Sequence, residues 1–222
     1  VLRAVNRVIC AKPFSARHCL ACMKITIIIG SIILVLAIVF QGWTYMSTKK
    51  TETQRYEVLE SEGAFEIRFY PEAIMITSSR PNAGYKESSG SLFRTLAGYI
   101  FGGNQEQEKI AMTSPVHMSF QDSISSMSFV MPAEYKLEDL PKPAEGSDID
   151  IHTTDSEILA TLRFGGFTND ELLREKTEEL KTMLEDRGIS TAGDFRYLGY
   201  NPPYQIVGRR NEVVVPIQYQ RS

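Results

Sequence analysis

Few side chains in this 222-residue chain are arranged for chemistry. Cys19-Leu20-Ala21-Cys22 has the spacing of half a zinc site or of a redox pair, since two thiolates so placed can hold one ion or close one disulfide. No second pair follows it and no strand-to-helix context surrounds it, so no metal is expected there. His117 and His152 are the only histidines beyond residue 45, and such isolated histidines are ordinarily core or surface residues. Glu138-Asp139 and Asp148 with Asp150 bring carboxylates together in polar surroundings, which reads as solvation and not as an acid and base pair. G-x-S-x-G, G-x-x-x-x-G-K-S/T, H-E-x-x-H and G-x-G-x-x-G are all absent. The residues therefore point to a binding protein, with no catalytic residue and no metal ligand assigned; a hydrolytic or redox enzyme is the least favoured reading.

Composition narrows the partners. The net charge is −3, and no Lys/Arg cluster is interleaved with aromatics, so nucleic acid is not an expected partner. The 21 residues from Ile25 to Tyr45 carry no charged side chain and are dominated by Ile, Leu, Val, Ala and Phe. As a helix they would be about 32 Å long, enough to cross the hydrocarbon layer. Trp43 and Tyr45 lie at the end where amphipathic rings favour the interface, and Lys24 and Lys49-Lys50 bracket the run. No small-residue cleavage site and no lipoprotein cysteine follow, so a single-pass anchor in a lipid bilayer is expected over residues 25–45.

All three cysteines precede that span. Met23-Lys24 has the form of a start followed at once by an apolar run, so the tail 1–24 is either an over-extended reading frame or an unstructured cytoplasmic segment. Arg3, Arg7, Lys12, Arg17 and Lys24 outweigh Lys49, Lys50 and Arg55, which favours a cytoplasmic N-terminus. A start at Met23 would reverse the balance, but large C-terminal domains translocate despite such charges. The folded part is thus expected on the extracytoplasmic side.

Residues 46–55 are polar and aperiodic and read as a tether. Beyond them, Tyr56–Leu59 and Phe65–Phe69 alternate with the period of half-buried strands around a turn at Glu62-Gly63, and Ala73–Thr77 is a further apolar strand. Leu92, Phe93, Leu96 and Ile100 then fall at helical spacing before Gly102-Gly103. Lys109–Met118 reads as a strand interrupted by Pro115, and Met127–Met131 as another. After a charged connection with Pro141, Pro143 and Gly146, strands are expected at Ile149–His152 and Ile158–Phe164. Thr168 with Glu171 has the form of a capping box opening a helix that shows Leu173, Leu180 and Leu184 on one stripe. Arg196–Tyr200, Tyr204–Arg209 and Glu212–Ile217 complete the strands. An offset of 87 residues carries Met75 onto Leu162, Phe93 onto Leu180, Leu96-Ala97 onto Met183-Leu184 and Pro115 onto Pro202, so two halves of like layout are expected.

Several separate segments carry a family resemblance: Glu66–Tyr70 (EIRFY), Lys109–Val116 (KIAMTSPV), Phe129–Pro132, Leu140–Pro143, Phe164–Phe167, Tyr200–Tyr204 (YNPPY) and Arg209–Val213 (RRNEV). In order and spacing they resemble the SOUL haem-binding protein family over nearly all of residues 56–217, leaving 218–222 as a short tail. The resemblance implies one α+β domain in which two pseudo-symmetric βαββ repeats form a twisted, mostly antiparallel, barrel-like sheet with two helices, here preceded by one transmembrane helix. It also implies a tetrapyrrole such as haem as ligand. Phe69 stands where the family's proposed axial histidine lies, so the implied mode is contact in an apolar groove without iron coordination. Haem needs an apolar slot and cations for its propionates. Phe93, Lys109, Met112 and Arg210 are the candidate binding residues on that basis. Paired βαββ units also resemble the effector-binding domains of bacterial regulators, so the alternative is recognition of another amphipathic small molecule or a protein partner.

Overall fold

The computed structural model describes residues 16–81, 85–120 and 124–219. Cys10 and most of the tail 1–24 lie outside the described residues, as do the side chains of Cys19 and Cys22 and the end of the tail 218–222. The chain divides into two units, Val1–Trp43 and Thr44–Ser222. Helix α1 runs from Ala16 to Lys50, and within it Lys24–Lys50 is long and apolar enough to cross a membrane. The helix outlasts the apolar run, because nothing in Met46–Lys50 breaks it. The first five residues of the expected tether are therefore helical.

The second unit is built on one nine-stranded antiparallel sheet, curled into a half-barrel, with two helices. Its strands are β1 (Glu57–Glu62), β2 (Phe65–Tyr70), β3 (Ala73–Pro81), β4 (Val116–Phe120), β5 (Ile124–Val130), β6 (Asp150–Thr154), β7 (Glu157–Phe164), β8 (Arg196–Gly199) and β9 (Asn211–Pro216), in the order β1-β2-β7-β9-β8-β4-β5-β3-β6. Helix α2 (Tyr85–Ile100) packs on β3 and β5, and α3 (Asp170–Asp186) on β7 and β9. With β1 left out, which has no counterpart, the order of the other eight strands reads the same from either end when β2 is exchanged with β6, β3 with β7, β4 with β8 and β5 with β9. The two helices occupy matching places in that exchange.

A constant offset of 87 does not survive the loops. Pro115 precedes β4 whereas Pro202 follows β8, because the connection 101–115 is longer than its counterpart 187–195. In the helices the fully buried pairs are Leu92 with Leu96 and Leu180 with Leu184, while Phe93 is only partly buried.

Strand alternation sorts the core onto two faces. Phe65, Ile67, Ala160, Leu162, Tyr197, Val213 and Val215 join the cluster beneath the helices. Their neighbours Tyr70, Leu159, Leu198 and Val214 form a second cluster on the other face. Strand β1 is an exposed edge with an irregularity between Val58 and Glu60, and Leu59 alone among its residues is partly buried, so the expected buried face is nearly absent there.

Three further local differences have simple causes. Regular pairing of the strand expected over Lys109–Met118 starts only at Val116, since Pro115 has no N–H to give; the Ser114–Pro115 peptide is cis. Tyr204–Arg209 is a turn-rich loop and not a strand: Gln205 N–H donates to the Pro202 carbonyl, and Gly208 takes φ +67°. Helix α3 is capped by Asn169, whose Oδ1 accepts from Leu172 N–H at 2.8 Å, one residue beyond the expected Thr168.

Candidate functional site

An open cleft of about 470 Å³ lies at one end of the sheet, within the range of small-molecule sites. One wall is the segment Glu52–Arg55, which the chain holds like a short extra strand: Gln54 N–H donates to Ser114 O and Ser114 N–H to Glu52 O, both at 2.8 Å. The Glu52 carboxylate also accepts from Ala133 N–H at 3.0 Å. The starts and ends of neighbouring strands contribute Ala73, Ile74 and Val130, and Met131 N–H donates to Ile74 O at 2.8 Å. The far wall is Pro132–Leu137, leading into a 3-10 turn at Leu137–Asp139. Ile74, Val130, Met131 and Leu137 make the lining largely apolar, while Arg55 and Lys136 supply exposed cations. Neither cation is held in an ion pair among the described residues.

Among the described residues no histidine lines the cleft, but one lies behind it. His117 is buried, with Nε2 at 2.8 Å from Oε1 of the lining residue Gln54, and its Nδ1 has no partner among the described residues. Burial first, and then the positive charge of Arg196, push its pKa down to about 3. The ring is therefore neutral. The Tyr135 hydroxyl donates a hydrogen bond to Glu108 Oε1 at 2.8 Å, a bond that raises its pKa.

The residues singled out from sequence are spread out. Phe93 packs its ring 5.4 Å from that of Phe129 at the main core, and Met112 is partly buried against the same core. Lys109 is exposed beyond the end of α2, opposite Phe101. Arg210 belongs to the other face, where its guanidinium bonds Glu212 at 2.7 Å, donates to the Tyr56 hydroxyl at 3.1 Å and lies 4.0 Å from the Tyr200 ring centre. None of the four lines the cleft.

Glu212 is the hub of that second face. It receives two bonds from Arg68, one from Arg210 and the Tyr200 hydroxyl at 2.8 Å. Burial alone would raise its pKa, but Arg68 and Arg210 outweigh this and hold it below the usual value. Burial pushes the Tyr70 and Tyr200 phenols up. The Glu212 carboxylate is thus shared by Arg68, Arg210 and Tyr200, and the cluster braces β2 to β9. Alternation along Glu66–Tyr70 carries its signal: a charged side chain in the middle of an inner strand, on the face opposite Phe65 and Ile67, requires a buried counter-charge.

Residues 51–216 match the family model described as SOUL heme-binding protein. The chain belongs to this family. Heme-binding protein 2 of Homo sapiens is 30% identical over 159 residues, covering 68% of this chain and 77% of the relative. Heme-binding protein 1 of Xenopus laevis is 30% identical over 163 residues, covering 69% and 84%. Among solved structures, the EcmrR C-terminal domain superposes with a TM-score of 0.54 at 12% identity, covering 74% of this chain and 99% of that one, a likeness of fold alone. For this SOUL member the α+β architecture read from the sequence holds.

Proposed function

We propose that this SOUL-family chain binds haem or a related tetrapyrrole by contact, without catalysis, while tethered to a membrane through residues 25–45. Relatives named as heme-binding proteins, aligned over two thirds of the chain, support the ligand class. The observation that carries the mode of binding is the cleft: apolar walls for a flat ring, Arg55 and Lys136 at hand for propionates, and no histidine in its lining. Those residues fit the group. Ile74, Val130, Met131 and Leu137 would hold the ring, and Arg55 and Lys136 its carboxylates; a bound haem would add an iron centre, to which the described lining offers no imidazole. Phe93, Lys109, Met112 and Arg210 stand as the rival placement of the same ligand. The folded unit is proposed to face the extracytoplasmic side.

The test is titration of hemin into the full chain in lipid nanodiscs, with empty nanodiscs subtracted. A saturable absorbance change near one equivalent is expected. A change no different from that of the empty discs rejects the proposal.

A further inference from the structure

The loop between β8 and β9 exposes a run of large apolar side chains. Tyr204, Ile206 and Val207 are 54%, 62% and 65% exposed, and Phe167 beside them is 57% exposed. The loop is nonetheless braced. Gln205, between the exposed residues, is buried and donates from Nε2 to the Val207 carbonyl at 2.9 Å. Arg209 donates to the carbonyls of Pro202 and Gln205, both at 2.8 Å, and its guanidinium lies 4.7 Å from the Phe167 ring centre. Folding has fixed these apolar groups outward.

The brace continues to the last turns of α1. Thr48 Oγ1 donates to Gln205 Oε1 at 2.7 Å, and a Cβ on Gly208 would stand 3.0 Å from the Tyr45 ring, so loop and helix end are in contact. Lys49, with its ammonium 4.7 Å from the Tyr45 ring centre, and Lys50 add cations on the same turns. Apolar and aromatic side chains ringed by Lys and Arg are the composition that settles at the headgroup level of a bilayer.

We infer that Tyr204, Ile206, Val207 and Phe167 form a second membrane contact, dipping into the headgroup region of the leaflet from which α1 emerges. The inference rests on the reading of α1 as an anchor and goes beyond it. With this contact the domain would touch the bilayer at a second place, next to the helix turn that carries Thr48.

The experiment uses the full chain with Cys10, Cys19 and Cys22 replaced by serine, reconstituted into phosphatidylcholine and phosphatidylglycerol vesicles. An environment-sensitive fluorophore is attached through Val207→Cys, and in a control through Asp186→Cys, an exposed site at the far end of α3, about 25 Å along that helix from its start. Quenching by shallow spin-labelled lipid and by aqueous iodide is then compared, with Trp43, the one tryptophan, reporting the anchor in the unlabelled protein. The expected result is lipid quenching and several-fold weaker iodide quenching at position 207, with the reverse at 186. If Trp43 is quenched by lipid while position 207 behaves like 186, the anchor stands and the loop contact is refuted. Protection of 207 from both quenchers means that protein or a tetrapyrrole covers the loop, which also overturns the inference. If Trp43 itself escapes lipid quenching, the anchor reading falls and the loop contact falls with it.

Discussion

The Arg68 guanidinium grips the Glu212 carboxylate with two hydrogen bonds, Nη1 to Oε2 at 2.8 Å and Nη2 to Oε1 at 3.0 Å, reaching across β7 to join β2 to β9. Both side chains are almost fully buried, at 2% and 0% exposure. Such a pair is costly to desolvate, and its net worth against an apolar replacement is small. Its rupture is another matter, because one charge would be left in the interior without a partner.

Glu212→Gln should therefore cost about 3–5 kcal/mol of folding stability, and an apolar pair at positions 68 and 212 should not recover it, because Arg210 and the Tyr200 hydroxyl lose Glu212 as well. Urea unfolding of the two variants beside the parent checks this. A Glu212→Gln loss no larger than that of a surface substitution would mean that water reaches the guanidinium and that the brace is not closed.

Acid sensitivity should trace to His117. Its folded-state pKa, held at about 3 by burial and by Arg196, is below the ordinary 6.5. Below pH 6.5 the unfolded chain takes up a proton that the folded chain refuses, so this contribution is complete above 6.5 and is lost progressively as pH falls toward 3. Between pH 7 and pH 5 the loss should be about 2 kcal/mol. A His117→Gln variant should lack that slope. Identical slopes for parent and variant would show that the imidazole charges within the fold.

Much of the fold was legible in the sequence for a physical reason. Periodicity reports burial, and Leu92, Leu96, Leu173, Leu180 and Leu184 are buried at the spacing that announced them. The failures occur where backbone hydrogen bonding decides instead of burial. Pro115 removes a donor from a segment whose side chains still alternate, the turn bond from Gln205 N–H to the Pro202 carbonyl takes Tyr204–Arg209 out of the sheet, and the cap falls on Asn169 because its amide oxygen meets the free N–H of Leu172. The cleft was not legible because Arg55, Ile74, Val130 and Lys136 come from segments remote in sequence, which only the β3–β5 pairing and the Thr53–Ser114 bridge bring together. For Arg210 the sequence shows the charge but not the partner Glu212.

Charge reversal separates the two placements of the ligand. Arg55→Glu and Lys136→Glu should each weaken porphyrin binding about three- to tenfold, the scale of a partly exposed ion pair lost and a repulsion gained. Lys109→Glu should leave affinity within about twofold under the same rule for distant exposed charges. Fluorescence titration with protoporphyrin IX reads all three. The opposite ranking would favour the rival placement that includes Lys109.

The most direct measurement of contact binding is the ratio of hemin to protoporphyrin IX affinity for the full chain in nanodiscs. With walls of Ile74, Val130, Met131 and Leu137 and no histidine in the lining, the two rings should bind with similar strength, and bound hemin should show no imidazole-ligated spectrum. Much tighter hemin binding with such a spectrum would contradict contact binding, and would direct attention to His117 behind Gln54.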